Sequence, residues 1–327
     1  MMKKWIFILS GLLAVQFTLT AAVNLTSEDY EAFQAEEKVL SFDEKKVDGL
    51  RIEDGTDSVS LKKQEGKWLL PESDDFPANQ SSIERLLGNL ATLKKGWPVT
   101  KTRSAVRRFK VDEKQFERKL VLLSGDEAQA TLYVGTSPGF RKVYVRPANE
   151  DGVYAVKFNS WEAGAKADEW IDKDVLTLEE SDLVRVEIPG VALQWEDGKP
   201  QVVELGEKEQ TNEKESRSLL SKLTKLRIQS LLGTGAKPEY QKDESVLEVK
   251  ITRKGGEILN YRFSKSKDAS YYVLKRSDLD HYFKVAEYTV KPIKETTREK
   301  LVQAKTEEGS SGLTGDKGDE KENSTRP

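Results

Sequence analysis

LSFDEKKVDGLRI (residues 40–52) and LTLEESDLVRVEI (residues 176–188) set apolar side chains at the same places, 136 residues apart. Leu40, Phe42, Val47, Leu50 and Ile52 correspond to Leu176, Leu178, Leu183, Val186 and Ile188. After a shortened loop the offset becomes 132, pairing Val59, Leu61, Gly66 and Lys67 with Val191, Leu193, Gly198 and Lys199. The apolar positions alternate as they do in half-buried strands. A pattern that returns at a fixed spacing is the mark of a folding unit written twice.

The repeat continues outward from these strands. Leu86, Leu87, Leu90 and Leu93 match Leu219, Leu220, Leu223 and Leu226 at offset 133, a set that shares one face of a helix. Ser81 with Glu84 predicts a capping-box start for the first helix, and Asn212 with Glu215 a looser one for the second. Leu120, Leu122, Ala130, Leu132 and Val134 then match Val249, Ile251, Leu259, Tyr261 and Phe263 at offset 129, with hairpin turns at Gly125-Asp126 and Gly255-Gly256. Further strands are expected at 143–146 and 153–158, echoed at 271–274 and 282–285. Strands, one helix, then more strands predict an α+β class: a tandem duplication of a unit of mostly antiparallel strands with one packed leucine-faced helix. A doubly wound nucleotide fold would alternate strand and helix throughout.

The chain has 327 residues, enough for two cores, with 37% hydrophobic and 33% charged residues. A net charge of -3 gives no general field for a polyanion, so nucleic acid is not an expected partner. The absence of cysteine excludes disulfides, thiolate catalysis, iron–sulfur clusters and Cys-type zinc sites. Lys3 and Lys4 precede an uncharged run from Trp5 to Val23, long enough to cross a bilayer as a helix and oriented with the N-terminus inside. Thr20-Ala21-Ala22 leaves a cleaved signal peptide as the alternative. The expected order is a signal anchor or signal peptide (1–25), an acidic stalk (26–39), the first α+β repeat (40–160), a helical connector (161–175), the second repeat (176–296) and a disordered tail (297–327). The bulk is expected to face the periplasm or exterior of a bacterial inner membrane, attached through residues 5–23.

Several of these features resemble a known bacterial family, the domain of unknown function 4340. They are the lysine-led hydrophobic N-terminus, Gly66-Lys67-Trp68-Leu69, the leucine helix, Leu132-Tyr133-Val134-Gly135, Val143-Tyr144-Val145-Arg146, Val153-Tyr154-Ala155-Val156 and Trp170-Ile171-Asp172-Lys173. Phe109-Lys110-Val111 departs from the usual Gly-Leu before the third strand. The resemblance implies a membrane-tethered, outward-facing protein, some relatives being associated with ABC-type transport systems of the kind linked to gliding motility. It implies an accessory or scaffold component with a protein partner in the membrane or envelope, such as ABC transporter subunits, and no chemistry or cofactor.

Lys101, Arg103, Arg107, Arg108 and Lys110, flanked by Trp97 and Phe109, form a dense basic patch that fits anionic headgroups or a phosphate-bearing envelope polymer. This makes an envelope polymer or lipid-headgroup binding module the alternative function. Gly135-Thr136-Ser137-Pro138-Gly139 spells a nucleophile elbow, which with His281 gives a distant serine-hydrolase reading. Pro138 has no N–H for the oxyanion hole, and a strand, not a helix, is expected next, so a turn is the simpler expectation. His281, the sole histidine, is expected to face solvent. Asp168, Glu169, Asp172 and Asp174 have oxygen ligands for a hard cation but read more simply as a solvated helix face. Gly233-Thr234-Gly235-Ala236-Lys237-Pro238 lacks phosphate-loop spacing. Trp68, Trp161, Trp170 and Trp195 read as a sugar-stacking set, although Trp68 and Trp195 fall within expected strands or at their ends, where aromatics usually fill a core. The chain is expected to be no enzyme, with no catalytic, cofactor or metal residues.

Overall fold

The computed structural model describes residues 13–16, 18, 37–241, 247–265 and 269–305. The expected stalk lies almost wholly outside them, as does the span Trp5–Val23 except for Leu13–Gln16 and Thr18. Among the described residues no helix is long and apolar enough to cross a membrane. The tail from residue 306 onward is likewise outside the described residues.

Two large antiparallel sheets dominate an α+β architecture. The first contains β1 (Gly49–Glu53), β2 (Ser58–Gln64), β3 (Lys67–Leu70), β4 (Phe76–Pro77), β5 (Arg118–Ser124), β6 (Glu127–Val134), β7 (Lys142–Pro147) and β8 (Tyr154–Lys157). Their order is β8-β7-β6-β5-β1-β2-β3-β4. The second contains β9 (Leu183–Ile188), β10 (Val191–Glu196), β11 (Lys199–Val202), β12 (Ser230–Leu231), β13 (Leu247–Arg253), β14 (Ile258–Ser264), β15 (Tyr271–Arg276) and β16 (Tyr282–Ala286). Its order is β11-β10-β9-β13-β14-β15-β16-β12. Seven strands, from the β8 edge to β3, thus find counterparts in the same order from β16 to β11.

The ladders agree residue by residue, as an internal repeat requires. Leu50 stands opposite Leu122 and Leu61. Val186, 136 residues later, stands opposite Ile251 and Leu193. Leu132 pairs with Leu120 and Pro147, and Tyr261 with Val249 and Arg276. Val145 pairs with Tyr154 as Leu274 pairs with Phe283. The tight turns match too: Glu65-Gly66 and Asp197-Gly198 both adopt positive φ, which a two-residue hairpin turn of this hand requires. The copies differ in their irregularities, a register shift falling between Ala128 and Ala130 in the first and between Leu183 and Arg185 in the second.

Each sheet carries one leucine-faced helix. α1 (Gln80–Thr92) buries Ile83, Leu86, Leu87 and Leu90 and packs near β3. A second short helix, α2 (Arg103–Arg108), follows it. α3 (Glu213–Thr224) buries Leu219, Leu220 and Leu223 near β11. The first helix begins two residues earlier than the capping box at Ser81 implies. Asn79 is the cap, its side chain accepting the Ser82 N–H, and Asn212 caps α3 in the same way through Glu215 N–H. Asn outcompetes Ser81 because its carbonyl reaches the third amide while Ser81 donates its hydroxyl to that same carbonyl at 2.9 Å.

Among the described residues the chain divides into two compact units, one within Met1–Val175 together with Arg227–Gly235, the other within Leu176–Leu226 together with Ala236–Pro327. The second repeat, expected over 176–296, is therefore not one uninterrupted stretch. Residues Arg227–Gly235 are held by an Arg227–Asp174 ion pair at 2.7 Å, the Ile228 N–H on the Lys173 carbonyl and the Thr234 hydroxyl on Asp74. The connector 161–175 is not a continuous helix. Its helical content is two 3-10 turns, Ser160–Glu162 and Ala167–Glu169, the latter leading Trp170 and Ile171 into the core. Residues 297–305 of the expected tail are ordered into the second unit. Val302–Ala304 pairs with Glu209–Thr211, Leu301 is buried, and Arg298 grips Glu209.

Candidate functional site

The richest concave surface lies in the first unit, where the last turn of α1 meets Leu93–Lys95 and the β7–β8 edge of the sheet. It encloses about 870 Å³. Lys94, Lys95, Arg141, Lys142 and Lys157 line it, against a single acid, Glu162, whose carboxylate accepts the Asn89 amide at 2.5 Å. Phe140 and Trp161, the neighbours in sequence of Arg141 and Glu162, are 86% and 90% exposed. The lining is cationic, and two exposed aromatic residues each adjoin a lining residue in the chain.

The backbone explains how these side chains arrive there. Lys142 and Lys157 stand directly opposite each other at the end of the β7–β8 ladder. Arg141 immediately precedes that pair in a left-handed conformation (φ 54°), its guanidinium 4.9 Å from the centre of the Phe140 ring. The loop before it is tied by Ser137, whose hydroxyl lies 2.7 Å from the Gly139 and Lys142 carbonyls as donor and also accepts the Gly139 N–H. The Gly135–Gly139 segment is thus a turn that fixes the lip of the groove, and the strand expected after it is β7. Gly135 itself has no room for a Cβ, which would fall 1.9 Å from the Phe109 carbonyl oxygen.

Lys95 forms the inner wall. Its side chain is 4% exposed, its ammonium 2.5 Å from Glu150 and 3.3 Å from Glu37, and Tyr154 donates its hydroxyl to the other Glu150 oxygen at 2.6 Å. Burial alone would lower the Lys95 pKa, but its two carboxylate partners hold it above the usual lysine value. Glu150 responds in the opposite sense: burial pushes its carboxyl up, and the hydrogen bonds from Lys95 and Tyr154 bring it below the ordinary range. A second cavity of about 300 Å³ lies on the Glu37–Glu150 side of Lys95.

The basic patch marked in the sequence lies elsewhere in this unit. Lys101, Arg103, Arg107, Arg108 and Lys110 are all exposed, on and around α2. Val106 anchors that helix against Val111, Tyr133 and Val153. Arg103 and Arg107 are one turn apart and share a face. Arg108 lies over the Phe109 ring at 4.7 Å, and Lys110 pairs with Glu117 at 3.2 Å. Trp97, flanking the patch, is 83% exposed.

The other candidates disperse. His281 is buried, not solvent-facing, because it lies in the turn before β16 and packs toward Phe283. Asp172 accepts the Asp174 N–H, Asp174 holds Arg227 and Glu169 accepts the Lys166 N–H. Among the described residues no group of three or more His, Cys, Asp or Glu is arranged to hold a metal ion. Trp68 and Trp170 are buried and Trp195 is half-buried, leaving Trp161 the exposed member of that set.

A family model described as a domain of unknown function (DUF4340) matches residues 68–245, more than half of the chain. The chain belongs to the DUF4340 family. No curated protein and no solved structure matches it. The DUF4340 match runs from β3 of the first sheet through α3, so it takes in the groove and the α2 patch and ends before β13. Sequence reasoning found the patch because its cations are crowded into residues 101–110. It missed the groove, whose residues come from α1, the Gly139–Lys142 turn and β8, and whose one local signal was Phe140-Arg141-Lys142 after a Gly/Pro turn.

Proposed function

We propose that this DUF4340 protein is a non-enzymatic, membrane-anchored accessory or scaffold component that faces the periplasm or exterior of a bacterial inner membrane and works by contact with a protein partner. The family resemblance makes an ABC-type transport complex that partner, with the span Trp5–Val23 as the tether. The observation that carries the reading is the use made of the enzyme-like motif: the Ser137 hydroxyl is engaged by two backbone carbonyls of its own turn. The serine supports structure there, and the two similar sheets supply broad surfaces for contact. Membranes solubilised in mild detergent and passed over the tagged full chain test this directly. Transporter subunits are expected to co-purify in constant proportion, and repeated recovery of the chain alone would overturn it.

A second reading, an envelope polymer or lipid-headgroup binding module, is favoured by the exposed Arg103 and Arg107 on one face of α2. Replacing Arg103, Arg107 and Arg108 with Ala is then expected to abolish pelleting with anionic liposomes or cell-wall material at unchanged thermal stability. Pelleting that survives the substitutions removes this reading.

A further inference from the structure

Two cations of the groove, Lys142 and Lys157, are placed where their charges work against the fold. Lys142 and Lys157 face each other across an antiparallel ladder, and like charges so placed are destabilising. Among the described residues neither has an acid within ion-pair distance, and neither does Arg141. Arg141 occupies a left-handed conformation that a residue with a Cβ adopts at some cost. The second sheet shows what the same ladder position holds when nothing is asked of it: Tyr271 opposite Ala286, each 129 residues further on. Strain and repulsion therefore converge on one cavity in one copy, whose lining residues Arg141 and Glu162 are each preceded in the chain by an aromatic residue left in water.

We propose that this groove is a binding site for an anionic saccharide, with Arg141, Lys142 and Lys157 neutralising its charge and Trp161 and Phe140 packing on its sugar faces. The volume of about 870 Å³ is that of a pocket for a ligand of several rings and far exceeds what a lone phosphate fills. The C–H faces of a pyranose carry partial positive charge and fit the negative face of an aromatic ring. A carboxylate, sulfate or phosphate ester on the sugar removes the repulsion between Lys142 and Lys157, so ligand binding relieves a cost built into the empty site. The site needs neither the transporter contact nor the α2 patch.

Titration calorimetry of the full chain in detergent tests it with four soluble probes: tetragalacturonic acid, a heparin-derived tetrasaccharide, neutral maltotetraose and inorganic phosphate. Vesicles of phosphatidylglycerol in phosphatidylcholine form a fifth arm. At least one anionic tetrasaccharide is expected to bind about tenfold more tightly than maltotetraose and phosphate. Lys157→Glu is expected to raise the melting temperature, by pairing with Lys142, while lowering that affinity about tenfold. Trp161→Ala is expected to weaken it about threefold with no change in melting temperature. Arg103→Ala with Arg107→Ala is expected to leave it intact, which separates failure here from failure of the α2 reading. Equal affinity for phosphate, binding indifferent to Lys157→Glu, or failure of both anionic tetrasaccharides would overturn the proposal. Vesicle binding lost in Lys157→Glu while both tetrasaccharides fail would assign the groove to a membrane surface instead.

Discussion

Lys95 holds its ammonium between two carboxylates with almost no access to water, and the chain itself shows how dispensable that arrangement is to the fold. The repeat offset of 129 takes Glu150 and Tyr154 to Leu279 and Phe283, and the helix offset of 133 takes Lys95 to Ile228, in the segment grouped with the first unit. Removing one partner of a buried pair leaves an uncompensated charge, whereas replacing the whole cluster with apolar groups is close to neutral or stabilising. Glu150→Ala is expected to cost about 3 kcal/mol in chemical denaturation, the lower end for a buried pair because Glu150 is partly exposed. The triple change Lys95→Ile, Glu150→Leu and Tyr154→Phe is expected to recover most of that loss, and a triple variant less stable than Glu150→Ala would refute the equivalence. The sign with pH follows from the depressed Glu150 pKa. Its contribution is present above the ordinary carboxyl value of 4.5 and is lost as pH falls through the lower folded value. Wild type is therefore expected to lose more stability between pH 5 and pH 3 than the triple variant, as measured by denaturant midpoints at each pH.

At the scale of elements, the two leucine helices carry equivalent loads. Leu90 and Leu223 are both fully buried, so alanine at either is expected to cost about 2–5 kcal/mol. Asn79→Ala and Asn212→Ala are each expected to cost about 1 kcal/mol through loss of the cap. A large cost at one copy and none at the other, in thermal and denaturant unfolding, would show that the helices are not equivalent. These helices were legible because four leucines on one face survive any local detail. The first cap was not, because Ser81 with Glu84 satisfies the same spacing rule two residues later and only the geometry of Asn79 decides. The clasp at the end of the chain was hidden for a different reason. Arg298 and Glu209 are 89 residues apart, and no local pattern announces such a pair. Arg298 holds the Glu209 carboxyl at about 2, so the clasp is intact above the usual 4.5 and is released as pH falls toward 2. Hydrogen-exchange protection at 302–304, corrected for the intrinsic slowing of exchange in acid, is expected to fall over that window, and Arg298→Ala is expected to abolish that fall because those amides are already unprotected at neutral pH.

Over the whole molecule, the repeat was legible because alternation of apolar residues fixes which positions of a ladder face each other. Leu50 with Leu122 and Val186 with Ile251 are the same contact made twice. The interruption of the second unit by Arg227–Gly235 was not legible, since it rests on the Arg227–Asp174 pair and on backbone hydrogen bonds to Lys173. The groove was hidden as well: turn residues and cross-strand lysines acquire meaning only once β7 and β8 are side by side. A duplicated framework explains why. Both copies must keep the leucine face and the strand registers, but each is free to change the edge positions that face solvent. The first copy uses that freedom to gather charge at β7–β8, while the second fills the same ladder with Tyr271 and Ala286.

Exchanging those two positions is the most direct measurement. The full chain carrying Lys142→Tyr and Lys157→Ala, the residues of the second copy, should melt at or above the wild-type temperature and lose its affinity for the anionic tetrasaccharides. A variant that fails to fold would show that the two ladders are not equivalent, and one that binds as wild type does would show that the lysine pair is not the site.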